Sequence, residues 1–322
     1  MATLHLAAAR PRALHCRCSA AEPAAAAPGI VARRAVLSAA TLLALRPSLP
    51  VSAAAGPASP ALLHAVLRVK ALDAAASFAV DALGMKVLRS RPGNVFVGFG
   101  TEAGGQNFSL ELEPTDDGTD AAPGDFGGIV LAVDNPSKAA AKAAAAGARR
   151  ASGGLRCSGD AIAGCAIGGV DELPLRVAFV KGAGPSLARV VLGVASLPRA
   201  VAFYRDALGM TQLTSQAGVS DRAAEDPAPD ARALLAFGKG KVALELRESK
   251  GAPASAALFD KIAISVPDLA AAASRVEAAG VGALLKQPFA VPGVGTRVAV
   301  ASDPDGHVIA LVDAADFEKE LL

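Results

Sequence analysis

The sequence predicts an α+β chain of four βαβββ modules arranged as two tandem halves. Three features carry this: an internal repeat, an alternating apolar strand at the head of each copy, and a helix ending at a glycine. "LLHAVLRVKALDAAASFAVDALGM" at 62–85 is echoed by "LARVVLGVASLPRAVAFYRDALGM" at 187–210, and the shared DALGM stands 125 residues apart. A repeat at fixed offset marks duplicated structural units.

The opening strands are expected at Leu62–Val69 and Leu187–Val194 from their alternation. Apolar residues at helical spacing follow: Leu72, Ala76, Ala79, Val80 and Leu83, then Val201, Tyr204, Ala207 and Leu208. Gly84 and Gly209 stand where a left-handed cap stops a helix. Strands are expected next at Met85–Arg89, Val95–Gly100 and Asn107–Glu113, matched by Met210–Ser215, Ala233–Gly238 and Lys241–Arg247. A weaker strand–turn–helix order occupies 126–148 and 259–283. Its later strands are clear only in the second half, at Thr296–Ala301 and His307–Asp313 around the turn Asp303-Pro304-Asp305-Gly306. Gly-rich sequence from 152 to 170 blurs them in the first half, so the second module is degenerate. The turn residues Asp303, Asp305 and His307 are read as turn formers.

Residues 1–55 differ from the rest, with six arginines and a single acid, Glu22. An Ala/Arg-rich, acid-poor start reads as a plastid transit peptide. Arg33-Arg34, the apolar run Ala35 to Leu45 and the small residues after Val51 read as a twin-arginine export signal in series with it. Together they point to the chloroplast and its thylakoid lumen. The apolar run is too short to span a bilayer, which needs about 20 residues. Without this leader 26 basic and 29 acidic residues remain, a net charge of −3 in place of +2. No basic patch for nucleic acid follows, and with no Trp and one Tyr there is little to stack on bases. The remaining histidines are His64 and His307, and the remaining cysteines Cys157 and Cys165. A lumenal setting permits a Cys157–Cys165 disulfide; two free thiols are the alternative.

With LLHAVLRV, DALGM, the LEL strands, VPGVGT, DPDG and the closing DFEKEL, the chain resembles the vicinal oxygen chelate superfamily. Within it, the resemblance is to plant-type two-domain glyoxalase I and covers about 62–320. It implies a glyoxalase/bleomycin-resistance/dioxygenase-like fold with tandem domains at 60–182 and 183–322, whose paired modules curl into cups. It also implies a nickel or zinc ion that polarises the hemithioacetal of methylglyoxal and glutathione, which becomes S-lactoylglutathione by proton transfer.

Carried over by position, His64 and Glu111 match family metal ligands, Glu111 also the catalytic carboxylate, and Arg68 matches a glutathione contact. The other ligand positions hold Gly128, Arg189, Lys261 and Ala310; Glu245 repeats Glu111, and Gly193 replaces Arg68. "PLRVAFVKGAGPS" lacks the family's last-strand glutamate. If the cups assemble across the halves, one holds His64, Glu111, Lys261 and Ala310, and the other Arg189, Glu245 and Gly128. A catalytic divalent ion wants at least three protein ligands. No metal cofactor is therefore expected, nickel or zinc entering only if the family activity survives. Lys261 opposite Glu111 and Arg189 opposite Glu245 are expected to replace the metal's charge, at carboxylate–cation distances within about 4 Å.

Three functions stay open. One is a non-catalytic, monomeric protein binding an unidentified small molecule in a cup. The second is a metal-dependent lactoylglutathione lyase. The third is an assembly protein of the thylakoid lumen.

Overall fold

The computed structural model describes residues 59–116, 124–148, 164–168, 174–179, 184–216, 231–249 and 258–322, all within one compact unit. The first module is β1 (Ala61–Val69), α1 (Leu72–Ser77) with a π-helical turn at Phe78–Ala82, β2 (Lys86–Arg91), β3 (Asn94–Gly98) and β4 (Ser109–Pro114). The second is β5 (Phe126–Val133), α2 (Pro136–Ala145), β6 (Gly164–Gly168) and β7 (Pro174–Phe179). The third is β8 (Ser186–Val194), α3 (Leu197–Ala202) with a π-helical turn at Phe203–Ala207, β9 (Thr211–Leu213), β10 (Arg232–Ala236) and β11 (Ala243–Glu248). The fourth is β12 (Phe259–Val266), α4 (Leu269–Ala279), β13 (Ala283–Ala290), β14 (Arg297–Ser302) and β15 (Val308–Asp313), closed by α5 (Ala314–Glu320).

The DALGM phrase is a helix exit. Leu83 N donates to Phe78 O (3.3 Å) and Leu208 N to Phe203 O (3.2 Å), the wider i→i−5 bond of a π turn. Met85 N then reaches Ala79 O and Met210 N reaches Tyr204 O, both at 3.0 Å, across glycines with φ of 78° and 80°. The left-handed glycine stop is as the sequence predicts; the π turn before it is an addition. The other helices start on side-chain caps: Asn135, Asp268 and Asp313 each accept from a backbone N–H in the turn they open.

Strand pairing joins modules from opposite halves. An eight-stranded sheet runs β13-β14-β15-β12-β1-β4-β3-β2, and a seven-stranded sheet runs β6-β7-β5-β8-β11-β10-β9. At each centre a first strand from one half lies antiparallel to one from the other, β1 on β12 and β5 on β8. The first and fourth modules thus share one sheet, the second and third the other. Where β5 and β12 begin, Phe126 and Phe259 stack with centroids 5.2 Å apart. The flanking bonds repeat as well: Gly193 N donates to Asp125 O (2.7 Å) and Arg68 N to Leu258 O (2.8 Å). One apolar core runs through this junction, including Leu67, Phe78, Leu192, Phe203, Ile262 and Leu311.

His307 requires a correction. The Asp303–Gly306 turn forms, but His307 is buried within it and is an ionic hub. Its Nδ1 lies 2.7 Å from Asp303 Oδ2 and its Nε2 3.0 Å from Asp125 Oδ2, the second an ion pair off the hydrogen-bond direction. Tyr204 donates its hydroxyl to the same Asp303 oxygen (3.1 Å), and Asp305 accepts from Ala195 N (2.9 Å). The fourth module is thereby clamped to the second and third. Gly193 leaves room for this, since a Cβ there would stand 3.0 Å from Asp125 O. Asp125 lies far upstream, in the other half, so no local pattern announced the partner.

Burial alone would depress the imidazolium's pKa, yet Asp125 and Asp303 outweigh it and raise it from 6.5 to about 10. A raised pKa gives stability that is complete below pH 6.5 and disappears as pH climbs through about 10. The melting temperature of the wild type should fall between pH 7 and pH 10. In His307→Gln, which leaves two buried carboxylates facing each other, stability at pH 7 should drop by about 3–5 kcal/mol and that pH-dependent loss should shrink. Calorimetry across the pH series reads both.

Candidate functional site

The site lies on the eight-stranded sheet, on the face opposite that covered by α1 and α4. Between Leu62 and His64 the β1–β12 register slips by one residue, a β-bulge. On β4, Glu111 stands beside Val66 of β1 and Phe96 of β3. His64 Nε2 and Glu111 Oε2 are 3.2 Å apart, and both residues are buried. Asn94 donates to the other Glu111 oxygen at 2.5 Å, and the Phe96 ring meets the His64 ring edge-on at 5.3 Å. Burial pushes the Glu111 carboxyl up, but His64, then the charges of Lys261 and Arg89, bring it below its ordinary value. A base at work near neutral pH needs a pKa near that pH; Glu111 is held away from it.

Lys261 does not pair with Glu111, contrary to the sequence expectation. Its Nζ lies 2.6 Å from Asp260 Oδ2, and it acts on Glu111 only through its longer-range charge. The cause is local: a register shift where Val66 and Leu67 pair with Lys261 and Phe259 sets Asp260 at the bulge, beside its own neighbour. Arg68 also turns to Asp260, Nη2 to Oδ1 at 2.6 Å, with Asp116 at 3.9 Å. Both basic side chains are partly exposed at the open end of this face.

On the seven-stranded sheet, Arg189 Nη1 lies 3.0 Å from Glu245 Oε2, within the distance expected of a cation in the metal's place. Arg247 Nη2 lies 2.6 Å from Oε1, so two guanidiniums hold one carboxylate. Gln216 accepts from Arg189 Nε at 2.8 Å and donates to Ala188 O at 3.0 Å. Arg189, Glu245 and Gln216 are all buried. Burial raises the Glu245 carboxyl; Arg247 and Arg189 together outweigh it and lower it. Gly128, at the remaining ligand position, has no side chain and a φ of 103°.

A catalytic metal does not fit either set. Two ligands of one tetrahedral ion, bonded at about 2.0–2.2 Å, stand roughly 3.4 Å apart, so His64 and Glu111 fit two corners. Among the described residues nothing supplies a third: Ala310 is apolar, Lys261 is held by Asp260, and no cluster of three or more His, Cys, Asp or Glu could hold a metal. A metal-bound histidine also normally donates its second nitrogen to an outer partner. His64 Nδ1 is buried with no hydrogen-bond partner among the described residues.

Residues 61–153 and 186–311 match the Glyoxalase/Bleomycin resistance protein/Dioxygenase superfamily. The chain belongs to this superfamily. It is 32% identical over 282 residues to a lactoylglutathione lyase of Oryza sativa subsp. japonica, covering 81% of this chain and 91% of that one. It is 30% identical over 275 residues to an Arabidopsis thaliana protein named "Probable lactoylglutathione lyase, chloroplastic", covering 81% and 75%. The crystal structure of glyoxalase I from Zea mays superposes with a TM-score of 0.71 at 29% identity, covering 82% and 95%. This is a glyoxalase I-like member of the superfamily, with the superfamily's α+β fold.

Sequence reasoning missed several groups of this glyoxalase-like site. Arg247 lies two residues from Glu245, and Arg89 and Arg91 lie two apart on β2, so strand period placed each pair on one face and was a usable signal. Asn94, Gln216 and Glu320 carry no such signal, because their partners are remote in sequence. Cys157 lies outside the described residues, and Cys165 falls on β6, so the disulfide expectation is not addressed.

Arg189→Met leaves Glu245 buried with half its compensation and should destabilise by about 3 kcal/mol. Adding Glu245→Leu removes the stranded charge and should recover part of that loss. Urea unfolding of the two variants against wild type measures both; an additive double variant would contradict the coupling.

Proposed function

We propose that this protein is a non-catalytic, glyoxalase I-like binding protein of the plastid, whose buried cup carboxylates are held by its own side chains. One observation carries the reading: at a ligand position of the second cup stands a guanidinium, Arg189, which with Arg247 pairs Glu245, while Glu111 is held by His64 and Asn94. A guanidinium at a ligand position opposes a divalent cation by charge as well as by geometry. Kinship with lactoylglutathione lyases supports the scaffold, not the reaction. The binding part of the proposal rests on the eight-stranded sheet. There His64 Nδ1 and Asn94 Oδ1 are buried without hydrogen-bond partners among the described residues, and such atoms are places for a ligand's or a water's polar groups.

Purified protein should hold no stoichiometric nickel or zinc and should form no S-lactoylglutathione above background when either metal is added. Stoichiometric metal, with turnover that disappears in His64→Ala and Glu111→Ala, would overturn the proposal.

The acid-poor leader and the chloroplastic relative support plastid targeting, and Arg33-Arg34 with the apolar run after it supports onward passage to the thylakoid lumen. Among the described residues no helix is long and apolar enough to cross a membrane. Imported into isolated chloroplasts, the protein should be recovered in the lumenal fraction, and Arg33-Arg34→Lys-Lys should leave it in the stroma.

A further inference from the structure

We infer that the face bearing His64 and Glu111 contains a carboxylate-binding pocket that the chain itself fills with Glu320, and that its exchangeable ligand is a carboxylate with a short apolar tail. The pocket is built from strand β2 and the loop that leads into β14. Arg89 Nη1 donates to Glu320 Oε1 at 2.5 Å, Arg91 Nη2 donates to the same oxygen, and Thr296 Oγ1 donates to Oε2 at 2.6 Å. This is the donor set of a carboxylate receptor: two guanidiniums and a hydroxyl converging on one group.

The pocket is continuous with the site already described. Arg89 lies over the Phe96 ring, its guanidinium carbon 3.5 Å from the centroid, and Phe96 in turn touches His64. Arg89 is additionally held by Glu102 at 2.8 Å, and Glu102 accepts from Ser109 at 2.7 Å, so the guanidinium is fixed whether or not Glu320 is present. Arg91 has no other acidic partner among the described residues. With Glu320 withdrawn, the pocket carries one uncompensated positive charge.

Glu320 arrives on α5, which is seven residues long. A helix of that length has no stability by itself and persists only where it is docked. Its docking includes the Glu320 carboxylate and Phe317, which is buried with Leu63, Ala263 and Val312 in an apolar cluster separate from the main core. Glu318 also accepts from Gly104 N at 2.6 Å, and Asp316 pairs with Arg297 at 2.7 Å. An acid group beside an apolar group describes the displacing ligand: its carboxylate takes the place of Glu320 and its tail that of Phe317. This deepens, and rests on, the proposal that the face is a binding surface.

Hexanoate is a suitable probe, with 1-hexanol as the uncharged control, on the full chain. Saturating hexanoate should raise hydrogen–deuterium exchange at 314–322, and hexanol should not. Glu320→Gln, which keeps the helix but weakens the internal competitor, should bind hexanoate about tenfold more tightly, and Arg91→Ala should lose binding with an unchanged circular dichroism spectrum. Three results would each overturn the inference: no hexanoate binding by either wild type or Glu320→Gln, binding without added exchange in α5, or equal binding of hexanol. Metal content and lactoylglutathione formation are read separately, so a catalytic protein and a protein without this pocket give different results.

Discussion

A carboxylate enclosed on the face of a β-sheet has to be neutralised where it stands, and both sheets are organised around that requirement. Glu111 and Glu245 occupy matching positions on β4 and β11, each beside the first strand of its module. Their neighbours differ. Glu111 is met by an imidazole and a side-chain amide, whereas Glu245 is met by two guanidiniums, one of them steadied by Gln216. Both carboxylates end below their ordinary pKa, so both solutions outweigh the desolvation cost. Buried pairs of this kind add little net stability over apolar packing, but losing one member strands the other.

The same rule governs the charges around the two faces. Asp260 takes both Arg68 and Lys261, Glu102 and Glu320 take Arg89, and Asp125 with Asp303 takes His307. The Arg68–Asp260, Arg89–Glu320 and His307–Asp125 pairs join different modules, whereas Lys261–Asp260 and His307–Asp303 are local. The apolar core runs through all four modules, and ion pairs between modules tie its edges.

The architecture was legible because its signals are local and doubled. Alternation in β1 and β8, the glycine stop in DALGM and the Asp-Pro-Asp-Gly turn each report on a few adjacent residues, and the second copy repeats the first. The residues at the family's ligand positions were taken from the resemblance, and the structure sets His64 beside Glu111 and Arg189 beside Glu245. Partner choice elsewhere was not legible. A β-bulge beside Asp260 redirected Lys261, which a strict period of two could not foresee. His307 looked like part of a turn until the fold brought Asp125 to it from the other half. The π turns after α1 and α3 also escaped, because helical spacing does not distinguish a single i→i−5 bond from ordinary helix.

The exchange of modules between halves has a consequence for how the chain folds. β1 pairs with β12, close to 200 residues later, and the Arg68–Asp260 bond spans a separation of 192. As the polypeptide emerges from the ribosome, β1 can pair with β4 at once, but its other edge stays open until nearly the whole chain has been made. The seven-stranded sheet is complete in its strands earlier, once β11 has emerged. Synthesis therefore leaves an unpaired apolar edge exposed for most of its duration, the condition under which nascent chains are slowest to fold and most prone to associate wrongly. Whatever protects that edge of β1 has to last until β12 arrives.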